Sequence, residues 1–248
     1  YGFLPTDFGR VSDAMMESAT DNSVYTWENN SIYYITNGIW SPLKRVDDGW
    51  GFWDGVRSAN LFLENFDPKV LERFQYNEDY DEMIDKASKF SLEVRFLRAF
   101  YLFELAKRYG DIPLITRTYT QEEINSVRKT SFADVIDFIA KECTEITREG
   151  GLPEDGVRGE TGRVTKGAAL ALKSRALLYA ASDLHNPAHD LTKWEAAAKA
   201  AYEVIKMNKY QLPNVSTDPL YSDLGGNEVL KSKQLIFERR EIGRASCR

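Results

Sequence analysis

The chain has 248 residues, 43% of them apolar and 28% charged, with a net charge of −6 and an isoelectric point near 5.2. That balance is an ordinary globular one, enough for one large domain or two small ones, and it argues against a nucleic-acid surface, which calls for a basic patch. No apolar run approaches the roughly 18 residues that cross a bilayer, and no charged-then-apolar leader opens the sequence.

Residues 1–50 are rich in Asp, Asn, Ser, Thr and aromatics, and their patterned pieces, Val11 to Ser18 and Ser31 to Ile39, predict short helices between long loops. From Trp50 to Phe66, "WGFWDGVRSANLFLENF" sets Phe52, Val56, Ala59, Leu63 and Phe66 at helical spacing, and Asp67-Pro68 closes the helix. The next helix runs through "LEVRFLRAFYLFELAKRYGDIPLI", Leu92 to Ile115, and its start reaches back to Tyr80. Leu92, Phe96, Ala99, Phe100, Phe103 and Ala106 form one seam, and Val94, Leu97, Tyr101, Leu102 and Leu105 widen it. Mainly Arg95, Arg98, Glu104, Lys107 and Arg108 remain polar, so this helix expects neighbours on two sides. Gly110 supplies a left-handed exit, and Pro113 prevents a restart.

Ser131 is an N-cap candidate for "FADVIDFIAKECTEI", with Phe132, Val135, Ile136, Ile139 and Cys143 on its inner side. After a glycine-rich loop from Gly150 to Gly162, Thr165 caps "KGAALALKSRALLYAAS", whose alanines let another helix approach closely. Thr192 and Glu195 have capping-box spacing for "KWEAAAKAAYEVIK", with Trp194, Ala197, Ala198, Ala201, Val204 and Ile205 as the expected inner face. Helix follows helix, which predicts an all-α, tetratricopeptide-like array of helical hairpins with long loops, without a clean internal repeat.

Most candidate chemistry gives way to packing or solvation. His185 and His189 are four apart, but Pro187 breaks the helix that would align them, and no Glu follows His185 as in a zinc-binding H-E-x-x-H, so no metal site is expected. The Gly150–Gly162 loop lacks the order of a phosphate cradle. Asp47 and Asp48, or Glu122 and Glu123, have the residue type of a glycosidase pair, yet neighbouring acids are ordinarily solvated, so neither a catalytic residue nor a cofactor is expected. Cys143 lies in a helical pattern and reads as a small core residue.

The segment "WSPLKRVDDGWGFW" differs, because it gathers Trp40, Trp50 and Trp53, three of the five tryptophans, around Lys44, Arg45, Asp47 and Asp48. An exposed indole covers the apolar C–H face of a sugar ring, while a carboxylate and a guanidinium fix its hydroxyls. Trp40, Arg45, Asp47, Asp48, Trp50 and Trp53 are therefore the candidate ligand-binding residues. The competing reading buries Trp50 and Trp53 where the helix starts; Trp40, further into the loop, is expected to be exposed.

"EVRFLRAFYLFELAKRYGDIPLI" resembles the signature helix of the SusD/RagB family. The likeness continues in order with "WDGVRSANLFLENF" before it, then "GRVTKGAALALKSRALLYAAS", "KWEAAAKAAYEVIKMNKYQL" and "QLIFERR". The resemblance implies a non-catalytic outer-membrane lipoprotein of Bacteroidetes, facing outward, that captures glycans or other nutrients for a SusC-like TonB-dependent transporter. It also implies that this chain corresponds to the N-terminal half of such a protein, without the lipid anchor that ties it to the membrane. A helical-repeat scaffold for protein partners and a helical carbohydrate-active enzyme are the rival functions. Glu241 to Arg248, "EIGRASCR", matches in one frame the translation of a string resembling a sequencing-library adapter. The expectation is one SusD-like helical domain over residues 1–240, truncated at both ends, followed by an artefact over 241–248.

Overall fold

The computed structural model describes residues 10–11, 14–27, 30–41, 43–44, 46, 49–155, 162–211 and 236–237. The 241–248 tail lies outside the described residues, as do Arg45, Asp47 and Asp48. Contacts divide the chain into two units, Tyr1–Asp54 and Gly55–Arg248.

In the first unit, β1 (Arg10–Val11) pairs antiparallel with β2 (Ala14–Met15), and a 3-10 turn, Met16–Ala19, follows directly. The helix expected over Val11 to Ser18 is therefore corrected to an antiparallel strand pair and one turn. Pairing of Arg10 with Met15 and of Val11 with Ala14 commits these backbones to each other rather than to a helix. The Ser31 to Ile39 piece does contain a helix, α1 (Tyr33–Thr36), of four residues. Asn30 starts it by accepting the Ile32 amide on its side chain at 2.9 Å, and Gly38, at φ +65°, ends it. Ile32 is buried at the centre of a small cluster with Ala19, Tyr25, Tyr33, Ile35 and Val46.

The helical array begins with α2 (Phe52–Asn65), whose first residues fall in the first unit. Its Phe52, Val56 and Ala59 are buried as their spacing requires. Asp67 then caps a 3-10 turn, Pro68–Phe74, by accepting the Lys69 amide at 2.9 Å. In the second unit follow α3 (Tyr80–Tyr109), α4 (Gln121–Ile124), α5 (Phe132–Ile146), α6 (Lys166–Ala181) and α7 (Leu191–Lys206). α3 packs on α5, α5 on α6 and α6 on α7, the succession of a helical-hairpin array.

α3 is more enclosed than its two-seam pattern suggests. Phe96, Ala99, Leu102, Phe103 and Leu105 are buried, and so are Glu93, Arg98 and Glu104. Arg98 and Glu104 thus leave the polar face to which their spacing assigned them, because each finds charged partners inside. Glu104 accepts from Lys107 at 2.7 Å and Arg108 at 2.6 Å, one turn on, while Arg98 reaches α5. Near the start of the array α2 crosses α3 closely: a Cβ on Gly55 would stand 2.8 Å from the buried Tyr101 ring.

Two expected caps form as read. Ser131 Oγ accepts the Asp134 amide at 3.2 Å, and Thr165 Oγ1 accepts the Ala168 amide at 3.3 Å. The third is corrected. Asp190, not Thr192, caps α7, accepting the Thr192 amide at 2.9 Å and its hydroxyl at 2.7 Å, while Glu195 pairs with Lys199 at 2.6 Å. An ionised carboxylate is a stronger acceptor for the positive helix end than a hydroxyl, and Asp190 takes that place just before Leu191. The inner face of α7 also differs, since Ala197 and Ala200 are buried, Ala201 and Val204 half-buried, and Trp194, Ala198 and Ile205 exposed. Ala168, Ala169 and Ala176 of α6 are buried too, and small residues on both helices allow α6 and α7 to approach closely.

Candidate functional site

The described tryptophans of the candidate site are held by the backbone around α1 and the start of α2. Because Gly38 adopts a left-handed conformation, the chain folds back and the amides of Ile39 and Trp40 both donate to the Tyr34 carbonyl, at 3.0 and 2.8 Å. Trp40 is thereby fixed at its backbone while its side chain faces solvent, with the residue 65% exposed. A tight turn follows, in which the Lys44 amide donates to the Ser41 carbonyl at 2.9 Å and to its hydroxyl at 3.2 Å. This turn brings the Lys44 ammonium to 5.8 Å from the centre of the Tyr34 ring, a cation–π distance.

Trp50 and Trp53 enter the first turn of α2, where the Trp53 amide donates to the Trp50 carbonyl at 3.0 Å. Trp50 is 55% exposed and Trp53 is half-buried. Exposure therefore separates the three: Trp40 and Trp50 present broad indole surface, and Trp53 only part of its own. Arg45, Asp47 and Asp48, the expected polar anchors, lie outside the described residues. The sequence reading passed over Trp27, which is 72% exposed and set against the Tyr25 ring at 6.3 Å. Its only signal was a lone tryptophan in a polar stretch, "VYTWENN".

Elsewhere several of the described charged and titratable groups are committed to structure. Glu142 is buried on α5 between Arg95, at 2.6 Å, and Arg98, at 3.0 Å. Burial by itself would raise its pKa, but the hydrogen bonds and charges of the two arginines outweigh it and hold the carboxyl below its ordinary value. Asn60 of α2 accepts from Arg98 at 2.9 Å and donates to the Ile115 and Arg117 carbonyls, so this polar cluster pins the extended segment that leaves α3. Of the acidic pair weighed as catalytic, Glu123 closes a capping box with Thr120 and bonds Arg117 at 3.0 Å. Its carboxyl is held low by the bond from Arg117 and then by the Thr120 amide. Burial pushes the Cys143 thiol up to about 12, with the neighbouring Glu142 charge adding to the shift, so it stays protonated and inert.

The two histidines diverge. His185 stacks on Phe132 with ring centres 3.6 Å apart, whereas His189, at positive φ, stands 3.7 Å from Asp183. Burial against Phe132, then the Lys193 charge, lowers the His185 pKa, with Asp111 opposing. Among the described residues no group of three or more His, Cys, Asp or Glu side chains converges as metal ligands would. None of the described helices is long and apolar enough to cross a membrane.

Residues 8–178, well over half the chain, match the protein family described as "Starch-binding associating with outer membrane", the SusD-like family. The chain belongs to the SusD-like family. No curated protein matches it. Among solved structures, a SusD-like protein from Bacteroides fragilis is 27% identical with a TM-score of 0.74, over 98% of this chain and 43% of that one. A SusD-like carbohydrate-binding protein, also from B. fragilis, is 26% identical with a TM-score of 0.58, over 83% of this chain and 36% of the other. A laminarin-binding SusD-like protein is 25% identical with a TM-score of 0.58, over 80% and 39% respectively. This SusD-like chain thus spans less than half the length of each of these structures. Its all-α, tetratricopeptide-like architecture agrees with theirs, apart from the two-residue strands β1 and β2.

Proposed function

We propose that this SusD-like chain is part of an outward-facing, lipid-anchored outer-membrane protein that captures carbohydrate without transforming it and passes it to a SusC-like TonB-dependent transporter. Ligand contact is assigned to Trp40, Trp50 and Trp53 as stacking surfaces, with Arg45, Asp47 and Asp48 as hydroxyl-binding groups. The observation that carries this reading is the exposed Trp40 side chain on a backbone fixed by two amides at the Tyr34 carbonyl. A solvent-facing indole on a fixed backbone has less conformational freedom to lose on meeting a sugar ring than one on a free loop, which favours affinity. Support from relatives comes from the family description and from the named carbohydrate-binding and laminarin-binding members. Calorimetric titration of the full-length protein with laminarin and malto-oligosaccharides tests it. Saturable binding without hydrolysis is expected, and absence of binding to any glycan, or turnover of one, overturns it.

A second reading, a helical scaffold for a protein partner, is favoured by one observation. α7 exposes Leu191, Trp194, Tyr202 and Ile205 along its length, an apolar stripe with no described neighbour-facing role in the α6 contact. Trp194→Glu together with Ile205→Lys in the full-length protein should weaken co-purification with the transporter and leave glycan affinity unchanged. Glycan affinity lost together with transporter binding counts against separate surfaces.

A further inference from the structure

We propose that Asn37 is a spontaneous deamidation site, and that its conversion to aspartate or isoaspartate releases the turn that fixes the Trp40 backbone. Asn37-Gly38 is the one Asn-Gly pair in the sequence. Cyclisation of an asparagine onto the next amide is easiest where that next residue has no Cβ to crowd the attacking nitrogen. Both residues are exposed at the C-terminal end of α1, and even a Cβ added to Gly38 would meet nothing within 4 Å, so solvent reaches the reacting atoms. Other described asparagines lack one part of this combination. Asn60 is buried, and Asn186 is buried and precedes Pro187, which has no N–H to lose. Asn22 is exposed, but its side-chain amide donates to Glu17 at 2.7 Å and Ser23 follows it. Asn208 is exposed as well, but Lys209 follows it.

The chemistry needs only water and hydroxide, and nothing is oxidised or reduced. Hydroxide takes the Gly38 amide proton, and the nitrogen attacks Asn37 Cγ. The N–Cγ bond forms, the Cγ–Nδ2 bond breaks, and the amide nitrogen leaves as ammonia with a proton from water. Water then opens the cyclic imide at either carbonyl, giving aspartate or isoaspartate. The folded turn opposes this, but weakly. At the observed ψ of 3° the Gly38 nitrogen lies beside the Asn37 backbone nitrogen rather than its side chain, and its N–H is given to the Ile35 carbonyl at 3.0 Å. Cyclisation therefore waits for rotation about ψ, which breaks that bond at the end of a helix of four residues. A helix so short has little cooperativity with which to resist local opening. The outcome reaches Trp40 because the Ile39 and Trp40 amides both bond the Tyr34 carbonyl across this turn. Isoaspartate inserts a methylene into the main chain there, and either product adds a carboxylate at the end of α1, where free carbonyls already carry negative partial charge.

The test is peptide mapping by mass spectrometry of the full-length protein, aged at neutral and at mildly alkaline pH, with isoaspartate counted by enzymatic methylation and amide exchange followed at Ile39 and Trp40. Ammonia loss at Asn37 should outpace that at Asn22 and Asn208 by about tenfold or more. It should speed up with pH, as a hydroxide-dependent step does, and be faster again in urea, where no turn opposes it. Converted molecules should lose amide protection at Ile39 and Trp40. Asn37→Gln should stop the conversion and keep that protection through the same ageing. Native Asn37 that stays intact, that converts no faster than Asn22 or Asn208, or whose conversion leaves both amides protected overturns the proposal. None of these readouts uses a ligand, so their failure is distinct from failure of the carbohydrate-capture reading.

Discussion

The Arg98 guanidinium of α3 donates to the Glu142 carboxylate of α5 at 3.0 Å, and the two residues, both buried, join helices that are separated in sequence by a long connection. The same guanidinium bonds Asn60 at 2.9 Å and the Thr116 carbonyl at 3.0 Å, so one side chain ties α2, α3, α5 and the segment after α3 together. Removing Glu142 leaves the buried Arg98 without a carboxylate, and removing Arg98 leaves Asn60 and the Thr116 carbonyl without their donor and Glu142 with Arg95. Arg98→Ala should therefore lower unfolding stability by about 1–3 kcal/mol, more than a typical surface change. Urea denaturation of the full-length protein measures it. A loss no larger than that of an exposed arginine such as Arg57 means that the cluster is not a structural joint.

Acid should act through the same pair. The folded-state pKa of Glu142 is depressed below its ordinary value of 4.5, so its contribution is fully present above that value and is lost as pH falls through the lower folded-state value. Glu142→Gln should lower stability at neutral pH and flatten the decline below pH 4.5 relative to wild type. Denaturation midpoints across that range decide it, and an acid limb of unchanged steepness assigns the dependence to other carboxyls.

Gly55 is a packing requirement. A methyl group there meets the Tyr101 ring at 2.8 Å, and Tyr101 is buried in α3 with little room to retreat. Gly55→Ala improves helix propensity by about 1 kcal/mol, yet overpacking costs typically about 1–3 kcal/mol, so net destabilisation is expected. A thermal melt that moves upward shows that α2 and α3 separate readily at this crossing.

Trp40 and Phe100 should behave oppositely. Trp40→Ala removes an exposed platform and should weaken glycan binding by about 1 kcal/mol or more, with almost no change in melting temperature. Phe100→Ala opens a cavity beside Tyr101, whose ring lies 6.1 Å from it, and should cost roughly 3–5 kcal/mol of stability while folded molecules still bind. Titrations and melts of both variants separate the roles. If Trp40→Ala melts early and binds normally, the indole belongs to the fold.

The sequence by itself determined the local features of this protein. The helices over Phe52–Asn65, Tyr80–Tyr109, Phe132–Ile146 and Lys166–Ala181, the caps at Ser131 and Thr165, and the left-handed exit at Gly110 all follow from neighbours within a turn or two. Their causes, helical periodicity, a side-chain oxygen facing free amides and a glycine without a Cβ, act over a few residues and are written in the sequence. Only the tertiary structure decided which polar residues go inside and which apolar ones stay out. Arg98 and Glu104 look alike on a helical wheel, yet one is buried by a carboxylate 44 residues away and the other by its own helix. Trp194 and Ile205 fit an inner seam of α7, but where α7 packs on α6 it is Ala197 and Ala200 that are buried. Trp40 was expected to be exposed from its place in a loop, whereas the exposure of Trp27 came only with the structure. Burial depends on which surface a distant segment brings, and that is a property of the assembled chain rather than of any stretch within it.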